Sequence, residues 1–402
     1  MIGVRQIKEA FVRVQEVAHL TPLQSSNTLS RLAGSQVFLK MENLQKTGSF
    51  KIRGAYNKLA TLNPSVRSKG VIAASAGNHA QGVAWAATRF EVPSTIVMPE
   101  LSSISKRLAT KGYGAEVIIA GANFDESFSI AEQMAQERGL TLIHAFDDEE
   151  VIAGQGTIGL ELLKAIPDMN SVVIPIGGGG LISGVSLALK ETNPHVKIIG
   201  VEAAGAAAMF LSRRVKTPVE LQSLHTIADG IAVKKIGEIT YPVIERYVDE
   251  IVTVNEDEIA AAILILMERS KTIVEGAGAV SVAAILEKGS VIKGPKVVAL
   301  LSGGNIDVNI LARIIEKGMV KSGRLMRLSV ELPDIPGSLA KLTALIAQSR
   351  ANILHITHDR LSRDLPITLT RVELALETRG YDHIEEIMAI LKEKEYRADI
   401  LT

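Results

Sequence analysis

SVVIPIGGGGLISGVSLAL, residues 171–189, is the stretch whose reading decides the fold. It carries no charge and is about as long as a membrane span. Its left half is β-branched, however, and Pro175 and the four consecutive glycines Gly177 to Gly180 interrupt it. A buried strand (residues 171–176), a glycine loop and a helix (residues 181–191) account for that order better than one apolar helix does.

Outward from this stretch the same alternation recurs. Ile7, Ala10, Phe11 and Val14 fall at helical spacing, so the chain opens with an amphipathic helix. Short β-branched runs predict strands at residues 37–40, 70–74, 94–98, 116–120, 141–144, 197–202, 248–254 and 296–301. Helical patterns lie between them, as at residues 79–89, 125–138 and 256–271. Strand–helix alternation with apolar strands implies parallel sheets covered on both faces. There are too many strands for one comfortable sheet. The expected fold class is therefore α/β with two lobes, the smaller at about residues 45–145, and ligands are expected where loops leave the strands' carboxyl ends.

The pattern changes near residue 320. Strands are predicted at residues 324–332, 352–360, 367–377 and 397–401, with helices at 338–349 and 381–394. The order β-α-β-β-α-β is that of a small α+β sandwich with an antiparallel sheet. Domains are expected at residues 1–320 and 321–402, joined by a linker at about 317–324.

Bulk properties narrow the function. The 402 residues are 47% hydrophobic and 22% charged, with 44 basic residues against 44 acidic ones. Balanced charge offers no field for nucleic acid or an anionic membrane, so the substrate is expected to be small. The absence of cysteine excludes disulfides, thiolate catalysis and cysteine-ligated zinc. Residues 1–8 lack the basic start and apolar core of a signal peptide, and a cytoplasmic location is expected.

Four loops carry the candidate chemistry. In the first, Lys51 stands between Phe50 and Ile52, bracketed by Gly48 and Gly54. A lysine is ordinarily a solvated surface residue. An aromatic neighbour and tight backbone also suit an amine held against a planar ligand, and burial would lower its pKa as a nucleophile requires. The second loop runs Ser75-Ala76-Gly77-Asn78-His79 into a helix. It is either a plain cap or a carboxylate site at a helix N-terminus. The third, Gly177-Gly178-Gly179-Gly180-Leu181, is either a tight turn or a monophosphate cradle of backbone amides. Glu202 lies where a dinucleotide-binding acid would, but no G-x-G-x-x-G register fits and no Walker lysine follows. The fourth, Ser302-Gly303-Gly304-Asn305, follows an apolar strand and by itself is a turn.

Together these segments resemble the threonine dehydratase (threonine ammonia-lyase) family, in the tryptophan-synthase-β-like class of pyridoxal-phosphate enzymes. The resemblance extends over essentially the whole chain. It implies pyridoxal 5'-phosphate as cofactor, held as a Schiff base by Lys51 with Phe50 beside the ring. It implies Asn78 at the ring's 3-oxygen, Gly177 to Leu181 at the phosphate, Ser302 at the pyridine nitrogen, and Glu275 as a further cofactor-pocket position. Ser75, Ala76, Gly77, Asn78 and His79 match the substrate carboxylate loop, with Asp229 and Gly230 nearby in the pocket. The implied reaction is β-elimination from L-threonine to 2-oxobutanoate and ammonia, or from L-serine to pyruvate, with Lys51 taking the Cα proton. A neutral Ser302 would leave the ring a weaker electron sink, which favours elimination over transamination.

The C-terminal unit resembles a single ACT domain. That implies an amino-acid effector, with isoleucine the family-like one, at Asp334, Ile335, Pro336 and Gly337 together with Asn352 and Ile353. It also implies a homodimer or homotetramer. Serine racemases of the same family carry a serine where Ala76 stands, so racemisation is expected to be minor. Glu202 matches one of their divalent-metal ligands but Ala208 replaces another, so no metal site is expected, while a monovalent cation stays compatible. The rivals are a serine dehydratase or racemase, a catalytically dead amino-acid-binding regulator and, more distantly, a dinucleotide oxidoreductase.

Overall fold

The computed structural model describes residues 2–401 apart from 290, 293, 362 and 363. The chain divides into two compact units, Met1–Asp307 and Val308–Thr402. The division falls before the helix Val308–Lys321, so residues 317–321, expected to be linker, are helical. Ile310, Leu311, Ile314, Ile315 and Gly318 keep a helical period across the point where the composition shifts.

The first unit holds two sheets. In the larger, the strands follow the order Leu23–Ser25, Gln36–Met41, Lys296–Leu301, Ser171–Pro175, Lys197–Ala203, Glu250–Val254. All neighbours pair in parallel except the three-residue edge strand Leu23–Ser25, which is antiparallel. That strand was not legible beforehand, because three residues are too few to show a period of two. The smaller sheet is all parallel, in the order Glu116–Ile119, Ser94–Met98, Val71–Ala74, Thr141–Leu142. Every residue of Ser171–Pro175 and Val71–Ala74 is buried, as the uninterrupted apolar runs require. The stretch that opened the reading is the buried strand Ser171–Pro175 followed by the helix Gly180–Lys190, and no described helix is long and apolar enough to cross a membrane.

The helix Lys51–Thr61 is fixed against this frame by a buried charge network. Arg53, 1% exposed, donates from Nε and Nη2 to both oxygens of Glu42 at 2.8 Å. It also donates to Glu161 at 2.6 and 3.1 Å and to Thr157 at 3.1 Å. Lys40 reaches the same Glu161 at 2.5 Å, and Thr21 donates to Glu42. Two cations face two anions, so the buried set is neutral. Burial alone would raise the Glu42 carboxyl, but Arg53 and Lys40 hold it below its ordinary value. Alongside, the helix approaches Glu149–Ala165 so closely that a Cβ at Gly154 would lie 2.5 Å from the Arg53 carbonyl.

The second unit is a four-stranded antiparallel sheet, ordered Asn352–Asp359, Leu369–Glu377, Leu325–Pro333, Arg397–Leu401, with helices Ser338–Gln348 and Tyr381–Glu393. Alternate residues Leu328, Val330, Val372 and Leu374 face Leu342, Ile346 and Ile387 in one apolar core. The edge strand Asn352–Asp359 is mostly exposed and carries a bulge between Ile353 and His355.

Removing one partner of a buried ion network leaves the others uncompensated, at a cost of about 3–5 kcal/mol. Arg53→Ala is accordingly expected to lower the Tm of the protein by several degrees. An unchanged Tm would show that these four charges contribute little.

Candidate active site

All four candidate loops meet at one cleft of ≈ 270 Å³ within the first unit. The Lys51 loop and the Ser302 loop are joined backbone to backbone. Ser49 bridges Gly303, Phe50 N–H donates to the Ser302 carbonyl at 3.1 Å, and Gly304 N–H donates to Gly48 at 2.8 Å. This pairing seats Lys51 as the first residue of its helix, beside the end of the strand Lys296–Leu301.

The Lys51 amine donates to the Ala145 carbonyl at 2.8 Å and lies 5.2 Å from the centre of the Phe50 ring. Burial pushes its pKa down to about 8, against an upward pull from the Glu275 carboxylate. A sizeable neutral fraction near neutral pH is what a nucleophilic or basic amine needs.

The glycine loop leads from Ser171–Pro175 into the first turn of Gly180–Lys190. Gly179 takes φ 94°, a left-handed conformation that side chains disfavour. A Cβ at Gly178 would fall 2.3 Å from the Phe146 ring, so the backbone itself must form the wall. The bare backbone and the free N–H groups of a helix start together make an anion cradle.

The second loop enters the helix Asn78–Arg89. Ser75 Oγ accepts from Gly77 N–H at 3.1 Å, a local turn bond. Asn78 donates from Nδ2 to Glu275 Oε1 at 2.6 Å. His79 is 3% exposed, and its Nε2 meets the Ile143 carbonyl at 2.8 Å. A carbonyl only accepts, so Nε2 carries the proton. Burial, with the nearby Lys51 amine, holds the imidazole neutral, its pKa down at about 3. His79 thus lines the cleft as a fixed neutral group, not as a proton carrier.

Ser302 is buried, and its hydroxyl donates to the Ala277 carbonyl at 3.2 Å. Glu275, buried at the cleft, is pushed up to about 7 by burial and by Asp229, with Lys106, Asn78 and Lys51 pulling it down. Asp229 and Gly230 line the mouth, where Lys106 pairs with Asp229. Ala76 and Gly77 also line the cleft. Glu202 does not. Its two oxygens accept from Met209 and Phe210 N–H at 2.9 and 2.7 Å, at the start of Ala208–Val215. No group of three metal-ligating side chains occurs among the described residues.

Several lining residues escaped the sequence reading: Lys106, Phe146 and Gln155 belong to segments far from the four motifs, and nothing in their own neighbours marks them. The second unit has a cavity of its own, ≈ 300 Å³, which Asp334, Ile335, Pro336 and Gly337 line with His358 and Arg360. Arg360 donates to Asp334 Oδ2 at 2.7 and 3.1 Å. Asn352 and Ile353 are not among its lining residues. Asn352 turns to Glu377 at 3.4 Å, and Ile353 packs on the apolar core.

Residues 14–303 match the family described as "Pyridoxal-phosphate dependent enzyme". The chain is 50% identical over 401 residues to the L-threonine ammonia-lyase of Thermotoga maritima, covering 100% of both. The processed form of threonine deaminase isoform 2 from Solanum lycopersicum superposes with a TM-score of 0.75. It is 40% identical, over 78% of this chain and 92% of that one. Maize serine racemase gives a TM-score of 0.75 at 36% identity, over 80% of this chain and 98% of that one.

An amine depressed to about 8 is mostly neutral just above that pH, whereas an ordinary lysine stays charged to about pH 10. Trapping of Lys51 by an aldehyde and borohydride, read by peptide mass, is therefore expected to level off above about pH 9. A yield still climbing at about pH 10 would mark Lys51 as unperturbed.

Proposed function

The chain belongs to the pyridoxal-phosphate-dependent enzymes of the threonine ammonia-lyase family, and on that premise we propose that it deaminates L-threonine to 2-oxobutanoate and ammonia with Lys51 as the cofactor-bearing amine. L-Serine would give pyruvate by the same route. The observation that carries the reading is the convergence of a depressed amine, a bare glycine cradle and two polar loops on one cleft.

The residues present fit pyridoxal 5'-phosphate. Gly177 to Leu181 and the start of the helix Gly180–Lys190 would hold its phosphate, Asn78 and Ser302 its ring, and Lys51 its aldehyde carbon. The cofactor, when bound, supplies an electron sink that acidifies the substrate's Cα–H.

The chain's own groups supply the rest. Lys51 would take the Cα proton at Nζ; its pKa near 8 suits a base working near neutrality. Ser75 to His79 receive the substrate carboxylate at the start of the helix Asn78–Arg89, where the dipole is positive. His79, neutral and tied to Ile143, adds no competing charge. The long Ser302–Ala277 bond can be exchanged for one to a ring nitrogen, so Ser302 offers a hydroxyl there and no carboxylate. Ala76 brings no acid to the face opposite Lys51, which favours elimination over racemisation.

The β-α-β-β-α-β unit is, in this proposal, an ACT domain that takes an amino-acid effector at the cavity around Asp334 to Gly337. The ionic Arg360–Asp334 contact at its rim and the exposed Ile335 suit a ligand with a charged end and an apolar side chain. A homo-oligomer joined through such units belongs to the same reading.

The test is a 2-oxo-acid assay of the full chain on L-threonine and L-serine, with and without isoleucine. Lys51→Ala is expected to abolish turnover with the fold intact by circular dichroism; retained 2-oxobutanoate production would sink the assignment. Gly178→Ala is expected to lose the cofactor's visible absorbance on dialysis, since the added methyl meets Phe146. D-serine as a main product would favour the racemase instead.

A further inference from the structure

Around Asn78 the structure contains a hydrogen-bond relay whose polarity is dictated from one end. Asn305 Nδ2 donates to the Thr47 carbonyl at 2.7 Å. A backbone carbonyl only accepts, so this end of the Asn305 amide must be its nitrogen. The same nitrogen donates at 2.7 Å to Asn78, which must therefore turn Oδ1 toward it. The opposite end of Asn78, Nδ2, is then left to donate to Glu275 Oε1 at 2.6 Å. The two ends of a carboxamide have nearly the same shape, so only such partners decide which way it faces.

Asn305 spends both of its N–H groups on Thr47 and Asn78. Asn78 spends one on Glu275, and its second has no partner among the described residues, while Asn78 itself lines the cleft. The adjoining glycine shows how tightly the relay is enclosed. A Cβ at Gly303 would fall 2.3 Å from Glu275 Oε1 and 3.0 Å from Asn78 Nδ2. A side chain there would occupy the path of the Asn78–Glu275 bond. The Gly303 and Asn305 positions that follow Ser302 thus have a reason beyond turning the chain.

We propose that Glu275 and Asn305 are positioning residues that lock the Asn78 carboxamide with its free N–H turned to the cleft, so that an anionic oxygen on the bound cofactor meets a donor and not a carbonyl lone pair. The inference rests on Asn78 as a cofactor contact, as proposed above. Neither positioning residue need touch the ligand. Asn305 acts only through Asn78, and Glu275 acts through Asn78 as its acceptor.

A double-mutant cycle on the full-length holoenzyme tests this, reading the cofactor dissociation constant on dilution and the wavelength of its visible band. Asn305→Ala is expected to weaken cofactor binding about tenfold and to shift the band, the worth of one well-placed hydrogen bond. In an Asn78→Ala background the same change is expected to alter binding less than about twofold, because its target is gone. Equal effects in both backgrounds would overturn the relay. Glu275→Gln keeps an acceptor opposite Asn78 and is expected to stay within about threefold of the parent, whereas Glu275→Ala should match Asn305→Ala. A Glu275→Gln loss as deep as that of Glu275→Ala would also overturn it, assigning the effect to charge. Should Asn78→Ala fail to fold, Asn78→Ser serves as the background. Failure of the underlying reading looks different: the parent protein would show no borohydride-sensitive band, or Asn78→Ala would leave binding unchanged.

Discussion

The guanidinium of Arg53, enclosed by Glu42 and Glu161, is the constraint on which the site depends. It lies two residues from Lys51 on the same helix, so the network that holds Arg53 also holds the start of that helix. Glu42 directly follows the strand Gln36–Met41, which also carries Lys40, and Glu161 belongs to the helix Glu149–Ala165. One planar fork therefore ties two segments, the end of the strand Gln36–Met41 and the helix Glu149–Ala165, to the start of one helix, which a point charge such as lysine could not do. That anchoring and the backbone pairing of residues 48–50 with the Ser302 loop together fix where Lys51 starts its helix.

A second constraint is electrical. The amine is depressed by burial, and the only carboxylate among the causes of its shift is Glu275, itself pushed up to about 7. The amine is thus shifted toward neutrality from above and the carboxyl from below. His79 is kept neutral beside them, so the cleft does not accumulate positive charge that would depress the lysine further. Buried groups whose pKa values are shifted in this way cluster at functional sites.

Much of this was legible before the structure. The alternation of apolar strands with helices predicted parallel sheets and two lobes, and the strands at 94–98, 296–301 and 397–401 fall where the periodicity placed them. The glycine run read as strand, loop and helix because proline and glycine interrupt what would otherwise be a span. What was not legible has a common cause. Leu23–Ser25 is too short to carry a pattern, and the helix Val308–Lys321 continues through a change in composition.

The sequence by itself determined the element types, the residue chemistry of the four loops and their likeness to one enzyme family, because periodicity, glycine and local motifs are properties of neighbours along the chain. Only the tertiary structure decided which of those loops meet and which way their groups face. Asn305 and Thr47 are far apart in sequence, and their hydrogen bond sets the polarity of Asn78. Glu42 and Glu161 read separately as two ordinary acids and become partners of one buried arginine only after folding. Glu202, a candidate ligand by position, proved to cap the helix Ala208–Val215 away from the cleft. Such pairings are long-range, and a hydrogen bond's direction depends on a partner that local sequence does not name.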